Sequence, residues 1–164
     1  MKKVLFLLIV LTLVLAACAP GFSRRSLGQV EPHLPFVVLL QDPDAYKGKV
    51  VMYGGEIIQT RAEANEAWVE VLQKPLDWQH RPQPGDVSSG RFLAHFSSFQ
   101  DPVIYAPGRP ITVIGEVRGK IVQKIGDLDY SYPLIEAREP KLWRPEGRSN
   151  PSFHFGIGIG GMIR

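Results

Sequence analysis

The sequence has a single cysteine and almost no charge imbalance, and both shortages narrow the classes of protein that it can represent. Cys18 is the one cysteine among 164 residues, so no disulfide can form within the chain and its stability must come from a core. Lys2 and Lys3 lie in a segment that we expect to be removed, which leaves 17 of the 19 basic residues against 16 acidic ones. A net charge of +1 gives no reason to expect a nucleic-acid partner.

Sequence motifs of catalysis and metal binding are also missing. The histidines are isolated and match no metal-ligand spacing such as His-Glu-x-x-His; they are His33, His80, His95 and His154. No serine stands in a Gly-x-Ser-x-Gly elbow. Asp127 and Asp129 form a candidate pair of catalytic carboxylates, but they lie in a Gly-containing segment. Acidic residues at this spacing usually stabilise a turn there. We therefore predict no enzyme activity, no metal and no cofactor beyond covalent lipid.

The N-terminus contains an export signal. Lys2 and Lys3 form a positive start, and residues 4–15 form an almost unbroken apolar run. The run is shorter than the roughly 20 residues that a helix needs to cross a bilayer, so a removable signal over residues 1–17 is favoured over a permanent membrane helix. Its last residues, Leu15, Ala16 and Ala17, followed by Cys18, resemble the lipobox of bacterial lipoproteins.

This resemblance implies that Cys18 becomes the lipidated first residue of the mature chain. Its sulfur would carry diacylglycerol and its freed amine a further acyl chain, and several chains together anchor a protein durably. The alternative, that Cys18 merely ends an ordinary signal peptide, fits its position and uniqueness less well. Ala19 stands where an aspartate would signal retention in the inner membrane. We therefore expect the outer membrane, with the folded domain on the periplasmic side.

A proline- and glycine-containing stretch follows the anchor. We predict that residues 18–35 form a flexible tether and that the folded domain covers residues 36–144. Arg24 and Arg25 lie close to the anchor, where they would either meet anionic headgroups or remain solvated.

The folded region is predicted to be mainly β. Asp42 and Pro43 indicate one short helical turn that ends near Gly48. Gly54 and Gly55 interrupt a β-rich segment, which indicates a bulge, a bend or a close backbone approach. Alternation and turn signals predict about six strands, near residues 50–60, 67–72, 91–96, 111–117, 121–125 and 130–137. Short strands with frequent turns and one small helix indicate a compact β-barrel or sandwich.

Beyond the lipobox, several local segments resemble the Slp family of outer-membrane lipoproteins. They are DAYKGKV at 44–50, GGEI at 54–57, PLD at 75–77, RP at 81–82, GRF at 90–92, FQDP at 99–102, ITVIG at 111–115, KIG at 124–126 and YSYP at 130–133. The resemblance spans about residues 36–143. It implies a small barrel similar to an OB-fold, a link with starvation or envelope stress, and no assigned enzymatic activity.

An OB-like barrel also makes ligand binding an alternative function. Phe92 and Phe96 share one face of a predicted strand and are expected in the core, as is Trp68 on its own strand. Instead, we expect a solvent-exposed ligand-binding patch formed by four residues, Trp78, His80, Arg81 and Arg91. An oligosaccharide or another small envelope molecule would be the ligand.

The C-terminal residues 145–164 combine a linker with an apolar, glycine-rich tail. Bulky residues such as Phe153, Phe155 and Ile157 alternate with His154 and glycines. Such a stripe would dock on another envelope protein, on a second copy, on its own barrel or against the membrane, or else remain a disordered end. The favoured function is a non-catalytic structural or interaction module of the envelope, anchored to the membrane by lipid.

Overall fold

Five strands form one closed barrel in the computed structural model, which describes residues 21–145. The strands are β1 (Val50–Ala62), β2 (Ala67–Lys74), β3 (Arg91–Phe96), β4 (Pro110–Ile125) and β5 (Leu128–Leu142). They follow the order β1-β2-β3-β5-β4, and β4 closes on β1. Neighbours are antiparallel except for the parallel pair β3 and β5. The predicted OB-like β-barrel is confirmed, with five strands in place of about six.

The difference in strand number arises at Gly119. We expected residues 118–120 to turn between two strands, but β4 runs through them as one strand. Gly119 has a φ of +103°, and the pairing with β5 shifts register between Val117 and Gly119. The glycine therefore bends β4 without reversing it, because β5 pairs with the strand on both sides of the bend.

The barrel interior is filled by alternating apolar side chains from every strand. The fully buried examples include Val51, Ile57, Val69, Val71, Phe92, Ala94, Val113, Val117 and Ile135. Gly55 belongs to the predicted glycine pair, and a Cβ there would overlap the carbonyl of Leu72 on β2. The close backbone approach expected from this pair is thus present.

Three short helices precede the barrel. They are α1 (Arg24–Leu27), α2 (Phe36–Gln41) and a 3₁₀ turn (Pro43–Tyr46). Helix α2 closes one end of the barrel, since its Phe36 ring lies 5.2 Å from Tyr53 and 6.0 Å from Phe92. The 3₁₀ turn begins at Pro43 as expected, although the Asp42 side chain makes no capping hydrogen bond.

Ordered structure begins before the boundary that we predicted at residue 36. Phe22 is 2% exposed, and α1 starts two residues later. The backbone N–H of Glu31 donates to the carbonyl of Val50 at the start of β1. The described part of the predicted tether is therefore packed against the barrel, and burial of the Phe22 ring offsets part of the conformational entropy that this segment loses.

Candidate functional site

The outer face of β2 and β3 carries a connected set of polar and aromatic side chains. Glu66 of the β1–β2 connection contacts this face, and Gln123 of the β4–β5 hairpin lines the same groove as Trp68. OB-fold barrels bind oligosaccharides and oligonucleotides on the corresponding face. This face is therefore a candidate binding site.

His95 joins the strands on this face. Its Nδ1 lies 2.8 Å from Glu136 Oε2 and its Nε2 lies 3.1 Å from Glu66 Oε2. Trp68 donates its indole N–H to Glu66 Oε1 at 3.1 Å, and its ring centroid lies 4.4 Å from that of His95. These four residues, Glu66, Trp68, His95 and Glu136, form the His95 cluster. Each side chain holds its neighbour in place.

The electrostatics of the His95 cluster favour a protonated imidazole. Burial by itself lowers the pKa of His95, but its hydrogen bonds and charge interactions with Glu136 and Glu66 outweigh burial and raise the pKa above 6.5. The hydrogen bond from Trp68, followed by that from His95, lowers the pKa of Glu66. A doubly protonated ring can donate from both nitrogens, so it satisfies both carboxylates.

A second polar group surrounds Glu70 on the same face. Glu70 is 5% exposed, and its Oε1 accepts from Arg91 Nη1 at 2.8 Å and from the Tyr132 hydroxyl at 2.9 Å. Gln59 Nε2 donates to the other oxygen at 2.7 Å. Burial and the adjacent Glu70 raise the pKa of Tyr132 to about 12. The carboxylate is thereby held by three donors from β1, β3 and β5.

A small groove opens beside Trp68. It has a volume of about 210 Å³ and is lined by Arg61, Glu63, Trp68, Ile121 and Gln123. Arg61 Nη2 donates to Gln123 Oε1 at 3.2 Å, which links the end of β1 to the β4–β5 hairpin. An aromatic face beside charged and amide groups can stack on a sugar ring and hydrogen-bond its hydroxyls.

The structure divides the predicted binding patch between two sides of the barrel. Arg91 is engaged in the Glu70 group. Trp78 is 85% exposed on a turn whose Asp77 Oδ1 accepts from the N–H groups of Gln79 and Arg81, each at 2.8 Å. The four residues therefore do not form one recognition surface.

The other two members of the patch lie near Trp78. His80 has a φ of +64°, and its ring meets that of Phe22 edge-on at 6.2 Å. The His80 carbonyl accepts from the hydroxyl of buried Thr112 at 2.7 Å. Arg81 donates to the carbonyl of Arg144 at 3.0 Å. Trp78, His80 and Arg81 are thus held on the side of β4.

The loop between β3 and β4 presents apolar side chains from a rigid backbone. Phe99 is 56% exposed, Val103 83% and Ile104 48%. Asp101 Oδ1 accepts from the Val103 N–H at 2.8 Å, and buried Tyr105 packs on Phe96 with 5.5 Å between ring centroids. We call Phe99, Val103 and Ile104 the apolar loop. Apolar side chains exposed close together mark interaction sites more often than isolated ones do, so these three, within residues 99–104, form a candidate surface.

Sequence reasoning missed the His95 cluster, and one related expectation was wrong. Trp68 does not point into the core, because its neighbours Ala67 and Val69 have no exposed surface and the strand alternates. The same alternation places His95 outward, between inward Ala94 and Phe96. Phe92 and Phe96 are buried as expected. The alternation of inward and outward residues along a strand was the available signal. Applied to β2 and β3, it would have placed both Trp68 and His95 on the outer face.

Several predicted features lie outside the described residues. They are the signal sequence, the lipobox with Cys18, and the C-terminal tail after residue 145. Over residues 21–145 no group of three or more His, Cys, Asp or Glu side chains could hold a metal ion. Within the same range no helix is long and apolar enough to span a membrane.

The comparisons with known proteins agree on one family. A model described as the outer membrane lipoprotein Slp family matches residues 15–157. The chain is 28% identical to the uncharacterized lipoprotein YeaY of Escherichia coli over 131 residues, which cover 80% of this chain and 67% of that protein. It is 27% identical to the outer membrane protein Slp of Escherichia coli over 139 residues, covering 84% and 73% respectively. An uncharacterized protein of Haemophilus influenzae is 35% identical over 96 residues, covering 58% of this chain and 52% of that protein.

Proposed function

Because this chain belongs to the outer membrane lipoprotein Slp family, we propose that it acts as a non-catalytic interaction module of the cell envelope. The protein is an outer-membrane lipoprotein, and its domain is an OB-like barrel. We place the barrel on the periplasmic side, with diacylglycerol and an N-acyl chain on Cys18. The partner that we propose is another protein of the envelope.

The apolar loop carries this proposal. Val103 and Ile104 would lose little freedom on binding, since the Ile104 carbonyl already accepts from Arg109 Nη1 at 2.8 Å. The hydroxyl of Thr60 on β1 likewise donates to the carbonyl of Tyr105 at 2.7 Å. Preorganised apolar groups bind with a smaller entropy loss than mobile ones. His95 also pairs with Glu66 and Glu136. This pairing supports a structural role for the three charged side chains, in which each holds its neighbour in place.

Site-specific photo-crosslinking in living cells tests the interaction module. A photoreactive residue at Val103 should give a discrete crosslinked protein, whereas the same residue at Val87 should not. Val87 is a matched control because it is also an exposed valine, at 71%, on a different loop. Equal crosslinking at both positions, or none at Val103, would contradict the proposal.

A ligand-binding module is the second candidate, and the groove beside Trp68 favours it. A tetrasaccharide of N-acetylglucosamine is a suitable probe because amino sugars of this type occur in bacterial envelopes. If the groove binds such sugars, isothermal titration calorimetry should detect binding of the probe, and Trp68→Phe should weaken that binding about tenfold while Trp78→Phe has no effect. Saturation that is equal in both variants would reject this groove as the site.

Two further parts of the proposal concern the ends of the chain. Native mass spectrometry of the protein extracted in mild detergent should show the acyl increment, and Cys18→Ser should remove it. The C-terminal tail would hold the envelope partner or a second copy, so a chain ending at Asn150 should lose any retained protein. A full-length chain that is monomeric and without partner would argue against the role of the tail.

The family resemblance also supports a role in starvation or envelope stress. The abundance of the protein should then rise several-fold on entry into stationary phase. Quantitative immunoblotting of exponential and stationary cultures measures this, and a constant level would contradict the stress role.

A further inference from the structure

Phe22 fixes the point at which the chain reaches the barrel from its N-terminal side. Its ring lies against His80, and Lys141 Nζ lies 5.7 Å from its centroid. The next residue, Ser23, donates from its backbone N–H and its hydroxyl to the carboxylate of Glu139, at 2.7 and 2.9 Å. The chain is therefore attached to the outside of β4 and β5 from residue 22 onward.

The remaining distance to the predicted anchor is short. Phe22 follows Cys18 by four residues, which a fully extended chain spans in about 14 Å. A small domain is about 30 Å across. This four-residue link, the leash, is about half as long as the domain is wide, so the barrel cannot rotate freely relative to the membrane. The side bearing Phe22 must therefore stay next to the bilayer.

That side has the chemistry of a membrane-contacting surface. Its three segments, residues 21–28, 75–82 and 139–145, contain five basic residues, Arg24, Arg25, Arg81, Lys141 and Arg144, against the acidic Asp77 and Glu139. Trp78 is 85% exposed and precedes by two residues His80, whose ring meets Phe22. We call these three segments the Phe22 face. Tryptophan favours the headgroup region, and basic side chains favour anionic phospholipid.

We propose that the Phe22 face docks on the phospholipid surface of the membrane, with Trp78 entering the headgroup region and the exposed Arg24 and Arg25 contacting phosphates. The proposal rests on family membership and on acylation of Cys18. It does not depend on the apolar loop or on any protein partner.

Docking in this way sets the orientation of the whole barrel. Thr112 on β4 lies beneath the Phe22 face, covered by His80 and by Trp143, whose indole donates to the Thr112 hydroxyl at 3.0 Å. In the order β1-β2-β3-β5-β4, the strands farthest from β4 are β2 and β3. The outer face of β2 and β3, which carries Trp68 and His95, is therefore turned away from the bilayer.

The test uses the acylated full chain in vesicles of phosphatidylethanolamine and phosphatidylglycerol. Because the thiol of Cys18 is blocked by lipid, an introduced cysteine is the single site for a fluorescent dye. Gln79→Cys places the dye beside Trp78, and Asp127→Cys is a control in the β4–β5 turn. Brominated lipid should quench the dye at position 79 at least twofold more than the dye at position 127.

Further variants separate docking from tethering. Trp78→Ala combined with Arg24→Glu and Arg25→Glu should reduce quenching at position 79 at least twofold without removing its excess over position 127, because the leash still holds this side near the bilayer, whereas Leu128→Ala should leave it unchanged. Equal quenching at both positions would overturn the proposal. So would a dye at position 79 that is shielded from aqueous iodide but insensitive to brominated lipid, since a protein would then cover the face. A chain that lacks the acyl mass would overturn the premise.

Discussion

Nδ1 of His95 and Oε2 of Glu136 lie 2.8 Å apart across the parallel pair of β3 and β5. This pair joins the two halves of the barrel, and its register places the two residues directly opposite each other. The ion pair therefore spans the junction between β3 and β5, which we call the seam. Its strength depends on the protonation of His95, which links the stability of the seam to pH.

Replacement of His95 should change how stability depends on pH. The folded-state pKa of His95 is raised above 6.5, so its stabilising contribution is fully present below about pH 6.5 and is lost as pH rises through the folded value. We expect His95→Gln to cost about 1–2 kcal/mol of unfolding free energy near pH 6 and less at pH 9. Urea denaturation of the mature chain carrying Cys18→Ser, followed across this range, measures the difference.

His33 provides the control for this pH experiment. It is exposed near the start of the domain, so His33→Gln should change the unfolding free energy near pH 6 by less than about 0.5 kcal/mol. A profile that is the same for His95→Gln and the parent chain would show that the ion pair does not stabilise the seam.

Glu70→Ala should be more damaging than any surface charge substitution. Truncation leaves the Arg91 guanidinium and the Tyr132 hydroxyl without their shared acceptor in a mostly buried position. Because breaking a buried pair from one side costs more than the pair contributes, we expect a loss of about 2–4 kcal/mol. Glu70→Gln keeps an oxygen acceptor and should lose less. Chemical denaturation measures both, and a loss below about 0.5 kcal/mol in Glu70→Ala would refute the assignment.

Gly119→Ala tests the bend of β4. Its φ of +103° strains any side chain, and a Cβ would overlap Lys47 and Asp44. The ends of these two side chains can move aside, so the cost comes mainly from the backbone. We expect a loss of about 2–3 kcal/mol, against about 1 kcal/mol for Gly126→Ala, whose φ of +60° lies within the left-handed region that side chains tolerate. Thermal or urea unfolding compares the two variants. Equal losses would mean that the φ of Gly119 carries no extra strain.

The barrel could be predicted because its strands carry local signals. Alternating apolar residues mark residues 67–72 and 91–96, and both segments form strands. The continuity of β4 could not be read in the same way. A glycine beside charged residues is compatible with either a turn or a bend, and pairing with β5 decides between them. That pairing is a tertiary contact with no local signal.

The candidate site was less predictable than the fold. Glu66, His95 and Glu136 are far apart in sequence, and only the parallel register of β3 and β5 brings His95 and Glu136 together. Trp78 was correctly expected to be exposed, but Arg91 was separated from it because Glu70 engages its guanidinium. The alternation along a strand indicates which way a side chain points. Which residue it meets on the neighbouring strand depends on the strand order, which has no local signal.

Phe22 tests where the folded domain begins. Its ring is 2% exposed, although it lies in the segment whose composition predicts a tether. Phe22→Ala should lower the unfolding free energy by about 2–3 kcal/mol, somewhat below the cost of removing a phenylalanine from a barrel interior, because its site is at the edge of the domain. Phe99→Ala is the matched control, since that ring is 56% exposed, and its loss should stay within about 0.5 kcal/mol. If the two variants unfold at the same urea concentration, residues 21–28 behave as a tether in solution and the leash to the membrane is longer than four residues.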